Sequence, residues 1–302
     1  MLLKKRSESH ELMIMRYLNT RMKLNEKEKF RYLNLEKGYD GEVKFDKLTE
    51  RLQEDRFILN DLILEVNNSY FQIDTLIISQ GVIHLLDIKN HEGDCYLELD
   101  KLYSVKTGWE YKNPVNQLKR SETLFSQLLQ SLKYTYLVKS SVIFINPEFT
   151  LYQAPMNQPI ILPSQVTRFI NDLNNTPSQL NARDKEFARK LISLHQPNNP
   201  FNGLPSYHYD LLQKGIYCNN CKSYLMSIKY HDFVCRSCGE HEKIRTSILR
   251  NVYEFQLLFP ERRVTTKIIY EWCNTDLNEK TIRRVLKKNF TSIGNTRDTY
   301  YQ

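Results

Sequence analysis

Glycine is scarce, at 9 of 302 residues. Neither a Walker-type nor a dinucleotide-type glycine pattern occurs, so a glycine-rich loop cradling phosphates is not expected. No apolar run approaches the roughly 20 residues that span a bilayer. The basic start, Met-Leu-Leu-Lys-Lys-Arg, is followed only by a short apolar stretch at 12–15, too little for a secretion signal. These absences lead to the expectation of a cytoplasmic protein with no membrane partner. A disulfide scaffold is not expected either. Of six cysteines, Cys95 and Cys273 stand alone and read as buried thiols, while the other four form two Cys-x-x-Cys pairs, a pattern that suits reduced thiols and a metal.

What is present points to a folded chain with an excess of positive charge. Hydrophobic residues make up 41%, with 14 Phe and 19 Tyr, too apolar for a disordered chain. At 302 residues two or three domains are expected. The formal charge of +8 favours a polyanionic partner.

The most informative stretch is 71–89. Apolar, β-branched runs at 71–78 and 82–88 flank Ser79-Gln80-Gly81, the pattern of a β-hairpin. Charge enters it only at Asp74, Asp87 and Lys89. Alternation puts Asp87 and Lys89 on one face, and Asp74 in the neighbouring strand can stand beside them. A charge in so apolar a strand is costly unless it is paired or bound to metal. Two carboxylates and a lysine converging there would make a Mg²⁺ site with a water-orienting cation, the chemistry of a nuclease. The plain alternative is a strand end meeting solvent. His84 falls on the opposite face and reads as packed, whereas His91, just past the strand, is a weak candidate ligand.

Residues 1–35 read as an N-terminal helical segment. Gly38-Tyr39-Asp40-Gly41 then reads as punctuation, with a helix starting near Gly41 or Glu42 and burying Val43, Phe45, Leu48 and Leu52. Strands are expected at 57–64, 71–78 and 82–89, with a turn at 67–69 and a short hairpin over 94–106. Asn113-Pro114 signals a helix start, and the helix continues through Val115, Leu118, Leu124, Leu128 and Leu132. A strand at 138–145 follows. The order of helix, three strands, helix and strand is that of an α/β core.

Over about residues 36–150 this order and these residues resemble the nuclease-related domain (NERD), a branch of the PD-(D/E)xK phosphodiesterases. The matching stretches are Gly38-Tyr39-Asp40-Gly41-Glu42, Gln72-Ile73-Asp74, Leu86-Asp87-Ile88-Lys89 and Asn113-Pro114-Val115-Asn116-Gln117. The resemblance implies a mixed sheet flanked by helices. It also implies a divalent metal, Mg²⁺ or Mn²⁺, held by Glu42, Asp74 and Asp87, with Lys89 positioning or polarising the attacking water. Asp87 stands where this family commonly has Glu. Gln117 is a weaker candidate for a phosphate or water contact.

Residues 151–195 read as a helical appendage, with helices near 164–173 and 181–195. Proline-punctuated 196–214 reads as a linker. Over 215–241, Cys218-x-x-Cys221 and Cys235-x-x-Cys238 form two knuckles around a hairpin-like stretch. Each knuckle puts two thiolates on one tetrahedral edge, so together they resemble a zinc ribbon with structural Zn²⁺. In 242–302, helices at 244–258, 265–273 and 278–290 precede a short wing-like 292–301. The last helix carries Lys280, Arg283, Arg284, Lys287 and Lys288 around an apolar stripe, with no acid from 280 to 290. This resembles a helix-turn-helix of winged type, in which such a helix contacts phosphate and base edges; the bland alternative is a solvated charged face.

The expectation is therefore a metal-dependent nuclease acting on nucleic acid, DNA in preference to RNA. The rivals are a non-catalytic DNA-binding or regulatory protein on a nuclease-like scaffold, and a ribonuclease. A homodimer is left open, since enzymes that cut both strands often pair.

Overall fold

The computed structural model describes all residues except Glu54, 197–202 and 296–298. Six positions of the expected linker 196–214 and the middle of the expected wing thus lie outside the described residues. The chain opens with strand β1 (Leu2–Lys4), helix α1 (His10–Arg21) and helix α2 (Glu26–Thr49). It forms two compact units: Met1–Ser9 with Leu33–Asn202, and His10–Tyr32 with Gly203–Gln302. The fold is mixed α/β, and no helix among the described residues is long and apolar enough to cross a membrane.

Two sequence expectations are corrected at the start of the chain. Leu2–Lys4 is a strand, not helix, and it pairs parallel with the next strand. Gly38 and Gly41 do not punctuate the chain, because α2 runs through them. A helical glycine costs about 1 kcal/mol relative to alanine, but Gly41 lies where the helix crowds the sheet. A Cβ there would sit 2.5 Å from Asn90 Cβ and 3.2 Å from Ile145 Cγ2. Only a residue without a side chain allows that approach.

In the first unit, β2 (Phe57–Val66), β3 (Ser69–Ser79), β4 (Val82–Lys89), β5 (Gly93–Glu98), β6 (Lys101–Ser104) and β7 (Glu110–Tyr111) follow. Left-handed pairs make two of the tight turns: Asn67 and Asn68 between β2 and β3, Leu99 and Asp100 between β5 and β6. Helix α3 (Pro114–Ser131) starts where Asn113 accepts a hydrogen bond from Val115 N, with proline in the first turn. Then come β8 (Leu137–Phe144), β9 (Phe149–Tyr152), β10 (Ile160–Ile161), α4 (Pro163–Asn175) and α5 (Ala182–Leu194).

The main sheet has the order β1-β2-β3-β4-β8-β10, and a second has β7-β6-β5-β9. Strands β2, β3 and β4 are antiparallel neighbours, while β4–β8 and β8–β10 are parallel. Alternation divides the main sheet's faces. Leu76, Ile78, Ile83, Leu85 and Val142 pack with Leu118 and Phe125 of α3 and Phe187 of α5. Ile77, Leu86, Ile88 and Ile143 pack with Phe45 of α2 and Ile170 of α4. Strand β1 covers only the start of β2. Beyond it, Ile63 N–H donates to His195 Nδ1 at 3.1 Å and Gln196 N–H donates to the Ile63 carbonyl at 2.9 Å. The segment after α5 thereby blunts the open edge.

In the second unit, β11 (Met226–Lys229), β12 (Asp232–Cys235) and β13 (His241–Lys243) form a small antiparallel sheet. Helices α6 (Ile244–Leu258), α7 (Thr266–Cys273) and α8 (Glu279–Asn289) follow, then paired strands β14 (Ser292–Ile293) and β15 (Tyr300–Tyr301). Asn274 is left-handed and ends α7, and the Asn278 side chain caps α8. The centre is polar as well as apolar. Arg21 of α1 is fully buried, hydrogen-bonded to Glu254, to Asn251 Oδ1 at 2.8 Å and to the Gln213 carbonyl at 2.7 Å. Its guanidinium lies 3.9 Å from the centre of the Trp272 ring.

Candidate functional site

The main sheet comes apart at Asp74. The β3–β4 ladder runs from Ser79↔Val82 to Thr75↔Leu86 and stops there. On the other side, the β2–β3 register holds at Asn60↔Thr75 and Leu62↔Ile73 but lacks the pair between them. Asp61, opposite Asp74, has φ +55, a left-handed conformation that costs a non-glycine residue energy. Side chains take over from the lost ladder bonds. Asp74 Oδ2 accepts from Ile88 N–H at 2.8 Å, which fixes the carboxylate against the end of β4.

Asp87 and Lys89 stand on the same side of β4. Lys89 Nζ donates to Asp87 Oδ1 at 2.9 Å. It lies equally close, at 2.9 Å, to Asp87 Oδ2, so the ammonium faces both oxygens of a buried carboxylate. Gln117, near the start of α3, reaches Asp87 Oδ1 at 3.5 Å, a long contact of little strength. Burial pushes the Asp87 carboxyl up to about 6, with Lys89 opposing and Asp74 adding to the rise. Burial works against the Lys89 charge, yet Asp87, Asp74 and Glu42 outweigh it and hold its pKa above the usual lysine range.

Glu42 comes from α2, which packs on the opposite face of the sheet through Phe45. Burial first, then the charge of Asp74, lift its carboxyl to about 8, with Arg6 and Lys89 pulling the other way. Its direct partner is Arg6, whose Nη1 donates to Glu42 Oε2 at 2.6 Å. Arg6 also binds both oxygens of Asp46, one turn further along α2, at 2.9 and 3.0 Å. Sequence reasoning missed Arg6, Asp46 and Asp61. Asp46 lies four residues after Glu42 and so on its helix face, a signal that was available. Arg6 in a basic start gave none.

The structure thus brings Asp74, Asp87 and Lys89 together by direct contact or through one backbone bond, and joins Glu42 to them through the field of Asp74. The all-oxygen donor set and the two carboxyls raised by burial and crowding fit a hard divalent cation such as Mg²⁺ or Mn²⁺. The three carboxylates are not drawn into one tight cluster, however. Among the described residues, the group with ligand atoms all within 4.8 Å of one another is the cysteine quartet. His84 and His91 stay outside the site. Burial lowers each to about 4, and His91 packs against Tyr111, Phe144 and Phe149.

The cysteines make a second centre. Cys218 and Cys238 sulfurs are 3.6 Å apart, Cys221 and Cys235 sulfurs 3.5 Å. Tetrahedral zinc with bonds near 2.3 Å calls for sulfurs about 3.8 Å apart, and none of the four is in a disulfide. Both knuckles use one construction. Lys222 N–H donates to the Cys218 carbonyl and Gly239 N–H to the Cys235 carbonyl, at 3.1 and 2.9 Å. Lys222 and Gly239 are both left-handed, at φ +61 and +77. The quartet fits a zinc ribbon.

On α8, Lys280, Arg283, Arg284, Lys287 and Lys288 are all exposed, while Ile282, Val285 and Leu286 are buried. The basic residues form a continuous outward face.

Residues 37–145 match the family model of the nuclease-related domain. The match contains Glu42, Asp74, Asp87, Lys89 and Gln117 and omits Arg6, the cysteine quartet and α8. No curated protein and no solved structure matches the chain.

Proposed function

We propose that the nuclease-related domain is a metal-dependent phosphodiesterase acting on nucleic acid, DNA in preference to RNA, and that the zinc ribbon and α8 hold that nucleic acid. The observation that carries this reading is the meeting of Asp74, Asp87 and Lys89 where the sheet opens, with the Asp87 carboxylate buried against the Lys89 ammonium. Glu42, Asp74 and Asp87 would hold Mg²⁺ or Mn²⁺. The ion, when bound, lowers the pKa of water and neutralises charge building on phosphorus. Lys89 then has two tasks within reach of its ammonium: orienting the nucleophile and adding positive charge to the transition state. Gln117, 3.5 Å from Asp87 Oδ1, would contact phosphate or water. The basic face of α8, behind the left-handed turn at Asn274, suits a helix-turn-helix that grips the phosphate backbone.

One observation favours a second reading. Glu42 is engaged by Arg6, and the carboxylates are spread, as would suit a nuclease-like scaffold that binds DNA without cutting it. The deciding experiment compares wild-type protein with Lys89→Ala. Each is incubated with linear duplex, circular duplex and single-stranded DNA, and with RNA, in Mg²⁺, Mn²⁺ or EDTA. Metal-dependent cleavage that disappears in the variant, with zinc content and melting unchanged, supports the enzyme. DNA binding without cleavage by wild type favours the scaffold, and equal cleavage by both proteins places the activity elsewhere.

A further inference from the structure

The first nine residues lie outside the family match, yet their side chains repair the break in the sheet. Where the β2–β3 pairing fails, backbone carbonyls lose their ladder partners and need new donors. Lys4 Nζ donates to the carbonyls of Asn60 and Asp61 at 2.8 and 2.7 Å. Arg6 Nη2 donates to the Asp74 carbonyl at 2.8 Å and to Thr75 Oγ1 at 3.2 Å. Nη1 holds Glu42, and Nε, together with Nη2, holds Asp46. With only 3% of its side chain exposed, Arg6 is a fixed part of the interior. It cannot reach out to a substrate.

We propose that Arg6 is a positioning residue of the metal site, a clamp that sets Glu42 on α2 at a fixed distance and angle from Asp74 on β3. The proposal rests on the reading of Glu42 and Asp74 as metal ligands. Glu42 lies on a helix packed against a face of the sheet and Asp74 on a strand within it, and apolar packing alone sets a helix position only loosely. A planar guanidinium whose Nε and Nη2 grip Asp46, whose Nη1 holds Glu42 and whose Nη2 also reaches β3 removes that slack. It leaves Glu42 Oε1 for a metal. Lysine in its place supplies charge but not the fork, so Arg6→Lys should behave as a partial substitute.

The test measures Mn²⁺ binding directly, by the loss of the free-ion paramagnetic resonance signal, in the zinc-loaded full-length protein. Wild type, Arg6→Met, Arg6→Lys and Asp46→Asn are compared, with thermal melting in parallel. Loss of a partner that orients metal ligands costs about 10–100-fold in affinity, and Arg6→Met should fall in that range. Arg6→Lys and Asp46→Asn should weaken binding less while melting near wild type. Asp46→Asn, which loosens Arg6 without burying an unpaired carboxylate, keeps the test decisive where Arg6→Met fails to fold. Wild-type affinity in Asp46→Asn and in either folded Arg6 variant overturns the clamp alone. Tighter binding in them overturns it too, by showing that Arg6 withholds Glu42 from the metal. No Mn²⁺ bound by wild type overturns the metal-site reading itself, and the clamp with it.

Discussion

Gly41→Ala, set against Gly38→Ala, separates helix propensity from close packing. Both glycines lie inside α2, and on propensity alone each change should stabilise by about 0.5–1 kcal/mol. Gly38 has nothing within 4 Å of an added Cβ, whereas at Gly41 the Cβ falls 2.5 Å from Asn90 Cβ and 3.0 Å from Asn90 Cγ. Ordinary carbon contact begins near 3.5 Å, so helix and strand end must separate by about 1 Å. Overpacking of that kind costs about 1–3 kcal/mol and outweighs the propensity gain. The difference between the two variants therefore isolates the packing cost, and a melting comparison should separate them by several degrees at about 2–4 °C per kcal/mol. Glu42 is the next residue, so the same displacement should cut metal-dependent cleavage by up to about 100-fold, with Gly38→Ala near wild type. Equal stabilisation and equal activity in both variants would refute the argument that Gly41 sets the approach of α2 to the sheet.

Three further outcomes follow from the second unit and its charges. Cys221→Ser should abolish tight zinc binding, seen as metal content per chain after dialysis, because three thiolates cannot close the tetrahedral site. Arg21→Met should destabilise the unit by about 3–5 kcal/mol, since Glu254 stays buried without its cation, while Arg21→Met with Glu254→Leu should recover most of the loss. Fluorescence of the buried Trp272 during urea unfolding checks both, and an unshifted midpoint in the single variant counts against the buried ion pair. Replacing Arg283 and Lys287 by Ala should flatten the slope of log affinity for duplex DNA against log salt by about 0.9 per lost phosphate contact. An unchanged slope would return α8 to the status of a solvated surface helix.

Much of this architecture was legible in the chain. The strands around Asp74 and Asp87 could be read because alternation and turn residues act locally, and Asn113-Pro114 announced α3 for the same reason. The knuckles could be read because zinc geometry imposes their spacing. What escaped depended on partners remote in sequence. Gly38 and Gly41 look like a helix stop until Asn90 and Ile145 explain why the helix needs glycine at position 41. Arg6 is one cation in a basic start until the break at Asp74 supplies its acceptors. Arg21 reads as an ordinary helix-end charge and becomes a core residue only through Glu254, far along the chain. The left-handed Asp61 leaves no mark in an otherwise regular strand.

The chain leaves the first unit after Ser9 and returns at Leu33. This detour limits how the protein can be dissected. A fragment starting at Gly203 would keep the cysteines and α8 but strand Glu254 without Arg21, so the second unit is no detachable tail. Nor could a single nick near 203 release it, because α1 remains threaded through the other end of the polypeptide. One covalent exit leaves three residues after Arg6 and the other re-enters nine residues before Glu42. A pull on the second unit would therefore run along the chain towards Arg6 from one side and towards Glu42 from the other, the two ends of one ion pair.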